Sequence, residues 1–426
     1  MPEFLDIYIQ RVKSNEQRIS ADYSASKLDL RDIFREYWVE AQLFASSPSD
    51  FSVLAIDSSS RRISTANGGV FYVVRALGVA RGVRYRELIA DFDYVSDTLE
   101  ESTVVSRKME WLEHRVAMKA LEDGFSGYIL FDGSIYGRVA HLPLETGFAR
   151  DRAFMLDYFE TLLELLDWCK RVGVQIIGIG KESRTSFFRE FLLMKLALRL
   201  KDELGLNEAE IIDLLSLALD NKRAALRKLE SEYSDIEFLE RIVEELISKK
   251  PDFQLILEFA GCAGYTTPLL LGASARWRRA VKQILRDPEA YVRAQFPMCS
   301  RSEEFVDRAV EVVQRIPRMP AIVSFHILPS LNDTPMRIDV PAWQLGIDKT
   351  LFEVGWPEDA SVDVSDILRL ISAGYCGPEN YNIWLKAADD GVRLSREIFE
   401  NVYLQKFEEI VGVFITSRGY RRVRFP

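Results

Sequence analysis

A chain of 426 residues is longer than one hydrophobic core usually supports, and 48% hydrophobic content with only 23 Gly and 15 Pro excludes a disordered or fibrous protein. A formal net charge of -10 excludes a uniformly basic nucleic-acid coat and confines any such contact to a groove. Scattered cysteines (Cys169, Cys262, Cys299, Cys376) exclude a disulfide framework or zinc knuckle, and the apolar runs fall short of the roughly 20 residues of a membrane span, which points to a soluble cytoplasmic protein.

Residues 1–48 read as helical, with "LDLRDIFREYWVEAQLF" carrying apolar residues at three-and-four spacing. From residue 51 the period changes. "FSVLAID", "GVFYVVRALGVARG" and "VRYRELIADFDYVS" are β-rich runs that suggest a three-stranded antiparallel meander. A helix follows at "SRKMEWLEHRVAMKALEDG", ended by Gly124, then the strand "YILFD", then a helix and strand in "LLELLDWCKRVGVQIIGIGKESRTS". Residues 186–320 are helical in pattern apart from the Gly-rich stretch 259–276, and strands return at "AIVSFHIL" and "PMRIDVPAW". Three strands, a helix, a strand, a helix and a strand make a mixed α/β sheet and not a doubly wound one. The economical division is an N-terminal helical segment (1–48), a core in two parts (49–185 and 321–426) and a helical insertion (186–320) between them.

Two apolar strands end alike, "VLAID" with Asp57 and "YILFD" with Asp132. A carboxylate there is partly desolvated, which is costly without a compensating cation, and two of them favour a shared one. Carboxylate oxygens suit Mg²⁺ or Mn²⁺. The helix between the strands offers a third acid, Glu110 or Glu113, three apart on one face. Ser58, Ser59 and Ser60 read as turn residues after Asp57, because the G-x-S-x-G elbow of a serine nucleophile is missing. The phosphate loop GxxxxGK[ST] is missing too, so any ATP-driven movement requires a partner. Basic residues cluster in "ARWRRAVKQILR", which includes Arg276 and Arg279, and in the tail "SRGYRRVRFP", both plausible phosphate contacts or docking surfaces.

The segments "AIDSSS", "MEWLEHRVAMKAL", "FDGSIYGR", "GIGKESRTS" and "YNIWLKAADDGVRL", in this order, resemble the NurA nuclease family over roughly residues 50–190 and 320–400. The resemblance implies an RNase H-like core and a metal-dependent DNA nuclease with Asp57, Glu113 and Asp132 as ligands to Mn²⁺ or Mg²⁺, two ions in all. Glu113 fits the family spacing better than Glu110. Asp389 stands where many members have His, as a ligand on the far side of Asp57 or as a general base, while Tyr381, Lys181 and Arg184 fall where a base or phosphate is contacted. The family further implies single-strand endonuclease and 5'-3' exonuclease activity on single- and double-stranded DNA. It also implies a homodimer, docking on the hexameric ATPase HerA and a place in end resection for recombinational repair. Two rival readings are a non-catalytic adaptor for DNA or a helicase, and an actin-like ATPase, for which "SAGYCGPEN" is a poor adenosine-binding turn.

Overall fold

The computed structural model describes residues 3–23, 28–41, 48–95, 97–181, 183–232, 237–248, 250–413, 415–418 and 420. Strands β1 (Trp38–Glu40), β2 (Val53–Ser64), β3 (Gly69–Ala80), β4 (Val83–Tyr94), β5 (Tyr128–Asp132), β6 (Gln175–Lys181), β7 (Gly264–Thr266), β8 (Leu269–Leu271), β9 (Ile322–Leu328), β10 (Met336–Pro341) and β11 (Glu358–Asp359) share one sheet. Its main order is β1-β7-β9-β10-β6-β5-β2-β3-β4, with β8 pairing β9 and β11.

The meander β2-β3-β4 is antiparallel, and Gly82 at φ +78 makes its second turn in a conformation that other residues rarely adopt. β5 and β6 then add in parallel beside β2, each reached through a helix, Thr98–Glu122 and Phe154–Val172. Meander plus parallel pair gives the RNase H-like order β4-β3-β2-β5-β6. β10 and β9 extend the sheet antiparallel to β6.

Val53–Ile56 of β2 are all apolar and successive side chains point to opposite faces, so the sheet is buried on both. Leu54 and Ile56 join Leu112 and Val116 of the Thr98–Glu122 helix, whereas Val53 and Ala55 join Leu130, Leu385 and Ala388 beneath the Ile383–Val392 helix. A separate core of Phe34, Phe191, Leu215, Ile242 and Ile256 holds the helices between Phe187 and Phe259 together. Among the described residues no helix is long and apolar enough to cross a membrane.

Three readings of the sequence are corrected by the fold. Trp38–Glu40, taken as helix, is an edge strand: helical spacing runs on from the Arg31–Glu36 helix, but backbone pairing to β7 decides the conformation. The Gly-rich stretch 259–276 contributes β7 and β8, three-residue strands too short to show a period of two. β2 does not stop at Asp57 but continues to Ser64, because β3 pairs with it from Ala55 to Ser64, so Ser58, Ser59 and Ser60 are strand residues and not turn residues.

Gly78 of β3 lies under the Thr98–Glu122 helix, and a Cβ there falls 2.6 Å from Val116 Cγ1. Gly78→Ala is expected to lower stability by roughly 1–3 kcal/mol, as overpacking of a filled core does, and urea unfolding followed by circular dichroism measures it.

Candidate active site

What ends at Asp57 is not β2 but its pairing with β5. The parallel register matches Val53–Ile56 to Tyr128–Phe131, and the next residues along the two strands are Asp57 and Asp132. Beyond them the chain after β5 turns away, leaving one edge of β2 free. Asp57 is therefore an interior-strand acid at an opening in the sheet.

By alternation Asp57 and Asp132 lie on the face that carries Ala55 and Leu130, under the Ile383–Val392 helix. Lys181, the last residue of β6, donates from Nζ to Asp132 Oδ2 at 2.9 Å, and Tyr381 donates its hydroxyl to the same oxygen at 3.0 Å. The Lys181 ammonium stands 3.9 Å from the centroid of the Tyr381 ring, a cation–π contact that fixes both side chains. Tyr381 holds φ at +35, a strained backbone position for a non-glycine residue, which the N–H to Gly377 O hydrogen bond of 2.7 Å maintains. Burial and the adjacent Asp132 push the Tyr381 hydroxyl far up, so it stays a donor.

Asp389 enters from the Ile383–Val392 helix. Asn382 caps that helix by accepting from the N–H groups of Trp384 and Leu385. Its other end is clamped to the meander: Arg61 Nε donates to Leu394 O at 2.8 Å, Arg75 Nε to Val392 O at 2.6 Å, and Leu394 N to Ser59 Oγ at 3.0 Å. Ser59, on the same face of β2 as Asp57, thus anchors the element that carries Asp389.

Glu113 approaches from the opposite face. Ser58, one residue past Asp57 and turned the other way, donates its hydroxyl to Glu113, and the buried Arg138 donates to its second oxygen. Arg138 also contacts His114 Nε2 at 3.1 Å and lies 4.6 Å from the Phe131 ring centroid. Burial pushes Glu113 up despite the lowering by Arg138 and Ser58. Glu110 is engaged elsewhere: it accepts from Tyr158 at 2.7 Å, from Arg107 at 3.0 Å, and meets His141 Nε2 at 2.9 Å. Burial raises Glu110, but His141, Arg138 and Arg107 outweigh it and hold the group low.

These contacts leave Asp57 with an excess of negative charge. Burial, then Asp132, Glu113 and Asp389 in turn, push its carboxyl from 3.8 up to about 7, against only one lowering hydrogen bond, from its neighbour Ser58 N–H at 2.7 Å. Asp57, Asp132 and Asp389 are all-oxygen donors of the kind that hard divalent cations take, so the donor set fits such an ion. Among the described residues no three acidic, His or Cys side chains already converge on one point, and Glu113 is held back by Ser58 and Arg138.

The other residues singled out in the sequence lie apart in their contacts. Arg184 is exposed, Arg276 lines a cavity of about 410 Å³ with Glu100 and His141, and Arg279 faces Asp220 at 3.7 Å. Arg421, Arg422, Arg424 and Phe425 of the basic tail lie outside the described residues. The sequence reading missed Arg138 and Ser58; an arginine between apolar residues in "YGRVA" was the one available signal for a buried cation.

A carboxyl raised from 3.8 to about 7 binds its proton more tightly folded than unfolded, so it costs stability as pH rises through that window. Asparagine escapes this cost. With EDTA present, Asp57→Asn should therefore match the wild type near pH 4 and exceed it at pH 8 by up to about 4 kcal/mol, one pKa unit being about 1.4 kcal/mol, as thermal unfolding at the two pH values reads directly.

The NurA domain family model matches residues 51–394. No curated protein matches the chain. Among solved structures, the NurA nuclease from Sulfolobus solfataricus aligns with a TM-score of 0.55 at 14% identity, covering 96% of this chain and 98% of that one. A NurA structure with manganese is 16% identical over 93% of this chain and 98% of its own, at a TM-score of 0.39. Another, bound to dAMP and manganese, is 15% identical over 94% and 97%, at 0.37.

Proposed function

Since the chain belongs to the NurA nuclease family, we propose that it cleaves DNA with Mn²⁺ or Mg²⁺ held by Asp57, Asp132 and Asp389, with Glu113 as the further ligand. The observation that carries this reading is the unbalanced negative charge around Asp57, on a strand that pairs with one neighbour only at that point. A bound pair of divalent ions supplies an activated water and neutralises the charge that develops on the phosphate oxygens.

The chain's own residues then bind and orient. Lys181 keeps about 43% of its side chain exposed while one N–H is spent on Asp132, so its remaining donors point to a phosphate oxygen of the strand being cut. Tyr381 anchors Asp132 through its hydroxyl and supports the Lys181 ammonium with its ring, so its loss loosens two groups at once. Arg138 and Ser58 aim Glu113 and oppose the upward push of its burial. Arg184 is a candidate phosphate contact beyond Lys181, and Arg276 and Arg279 are candidate contacts farther along the DNA.

Family membership supports a finer account. We propose single-strand endonuclease and 5'-3' exonuclease activity on single- and double-stranded DNA, in a homodimer that works with a HerA-type hexameric ATPase in end resection in the cytoplasm. A chain without a phosphate loop needs such a motor.

Digestion of end-labelled single- and double-stranded DNA tests the proposal. Cleavage should require Mn²⁺ or Mg²⁺, stop in EDTA, and fall more than about 100-fold in folded Asp57→Ala, beyond the usual loss for an outer-shell change. Asp389→Ala should cost more than Glu110→Ala, whose carboxylate is occupied by His141 and Tyr158. Metal-independent cleavage, or the reverse ranking, contradicts the assignment.

A further inference from the structure

We infer that Asp339, on β10 two strands away from Asp132, is a positioning residue for the Asp132 turn. The inference rests on the reading of Asp132 as a metal ligand. Asp339 is 1% exposed and spends both oxygens on four donors. Oδ2 accepts from Ser134 Oγ at 2.6 Å and from Tyr136 N at 3.2 Å; Ser134 ends the turn that leaves β5 directly after Asp132 and caps the short helix Ile135–Val139, whose second residue is Tyr136. Oδ1 accepts from Ser324 Oγ at 2.7 Å and from Arg337 Nε at 2.8 Å, and Arg337 Nε also reaches Ser324 Oγ at 2.9 Å.

This turn has to cross β6 to reach β10. Gly133 N donates to Ile179 O at 2.9 Å, and the crossing passes over Gly178, the residue of β6 that pairs with Asp339. A Cβ on Gly178 falls 2.5 Å from Gly133 O and 2.9 Å from Ile135 N, so only glycine lets the turn lie this close. The turn is therefore held from below by a missing side chain and from the far side by a buried carboxylate. Asp132 is the residue at its root.

Burying a carboxylate costs several kcal/mol, and Arg337 offsets this with one N–H while leaving its Nη2 without a partner among the described residues. The guanidinium lies 5.6 Å from the Tyr136 ring centroid and 5.2 Å from that of Phe187, so it too bears on the turn. Core stability alone does not need a four-acceptor group here; a fixed turn does. Asparagine cannot replace it, because in either orientation its NH₂ faces a donor that cannot accept, Tyr136 N–H or Arg337 Nε–H.

The experiment is a titration of the metal-free full chain with Mn²⁺, free ion being followed by electron paramagnetic resonance, alongside thermal unfolding of the same samples. Asp339→Asn and Gly178→Ala should each weaken Mn²⁺ binding by about 10–100-fold, the range for losing an outer-shell partner. Ser134→Ala, a milder change, should weaken it in the same direction and add little in combination with Asp339→Asn. Ile242→Ala, buried in the core of the helical layer, should lower the melting temperature with Mn²⁺ affinity unchanged. Wild-type affinity in folded Asp339→Asn or Ser134→Ala, while Asp132→Asn is impaired, overturns the inference alone. Wild-type affinity in Asp132→Asn removes the ligand reading and the inference with it, and so separates the two failures.

Discussion

A carboxylate inside a β-sheet keeps its charge only where a cation or hydrogen bonds replace the water it has lost, and Asp57 has three more carboxylates in its field in place of a partner. The surrounding structure follows from that constraint. β5 stops pairing with β2 at Phe131 so that β2 has a free edge beside the acid, and Lys181 and Tyr381 converge on Asp132 and not on Asp57. The one strongly negative point is left uncompensated by the protein itself. Such a site is stable in the folded chain because two cores on opposite faces of the sheet hold the first four residues of β2.

The same economy explains how the remaining groups are mounted. Asp389 sits on a helix whose start is capped by Asn382 and whose end is clamped by Arg61, Arg75 and Ser59. Glu113 sits on the 25-residue helix that closes over the other face, with both carboxylate oxygens already engaged. Acids delivered from two faces and four elements cannot collapse on one another, which keeps mutual repulsion tolerable in the metal-free chain. Membership of the NurA nuclease family gives this arrangement its chemical sense.

Much of this was legible in the residues. Asp57 and Asp132 announce themselves because each follows an apolar run, and the order of strands and helices from 51 to 181 follows from local period. The misreading of "DSSSRR" as a turn has a physical reason: polar, small residues look alike whether they begin a turn or form the half-exposed part of a long hairpin. Only the pairing partner, 12-residue β3, decides between them, and pairing is not local. The same holds for Trp38–Glu40 and for β7 and β8, whose conformation is set by distant strands. Ser59 and Asp339 were invisible as site residues because each acts through a contact made across 205 to 335 positions of chain.

The central claim, that the negative cluster around Asp57 is a divalent-cation site, is tested most directly by anomalous X-ray diffraction at the manganese edge from crystals soaked in Mn²⁺. The account predicts an anomalous peak within ligating distance of Asp57, shared with Asp132 or Asp389, and no peak there in Asp57→Asn crystals. Manganese bound only elsewhere, with the Asp57 carboxylate free of it, contradicts the account.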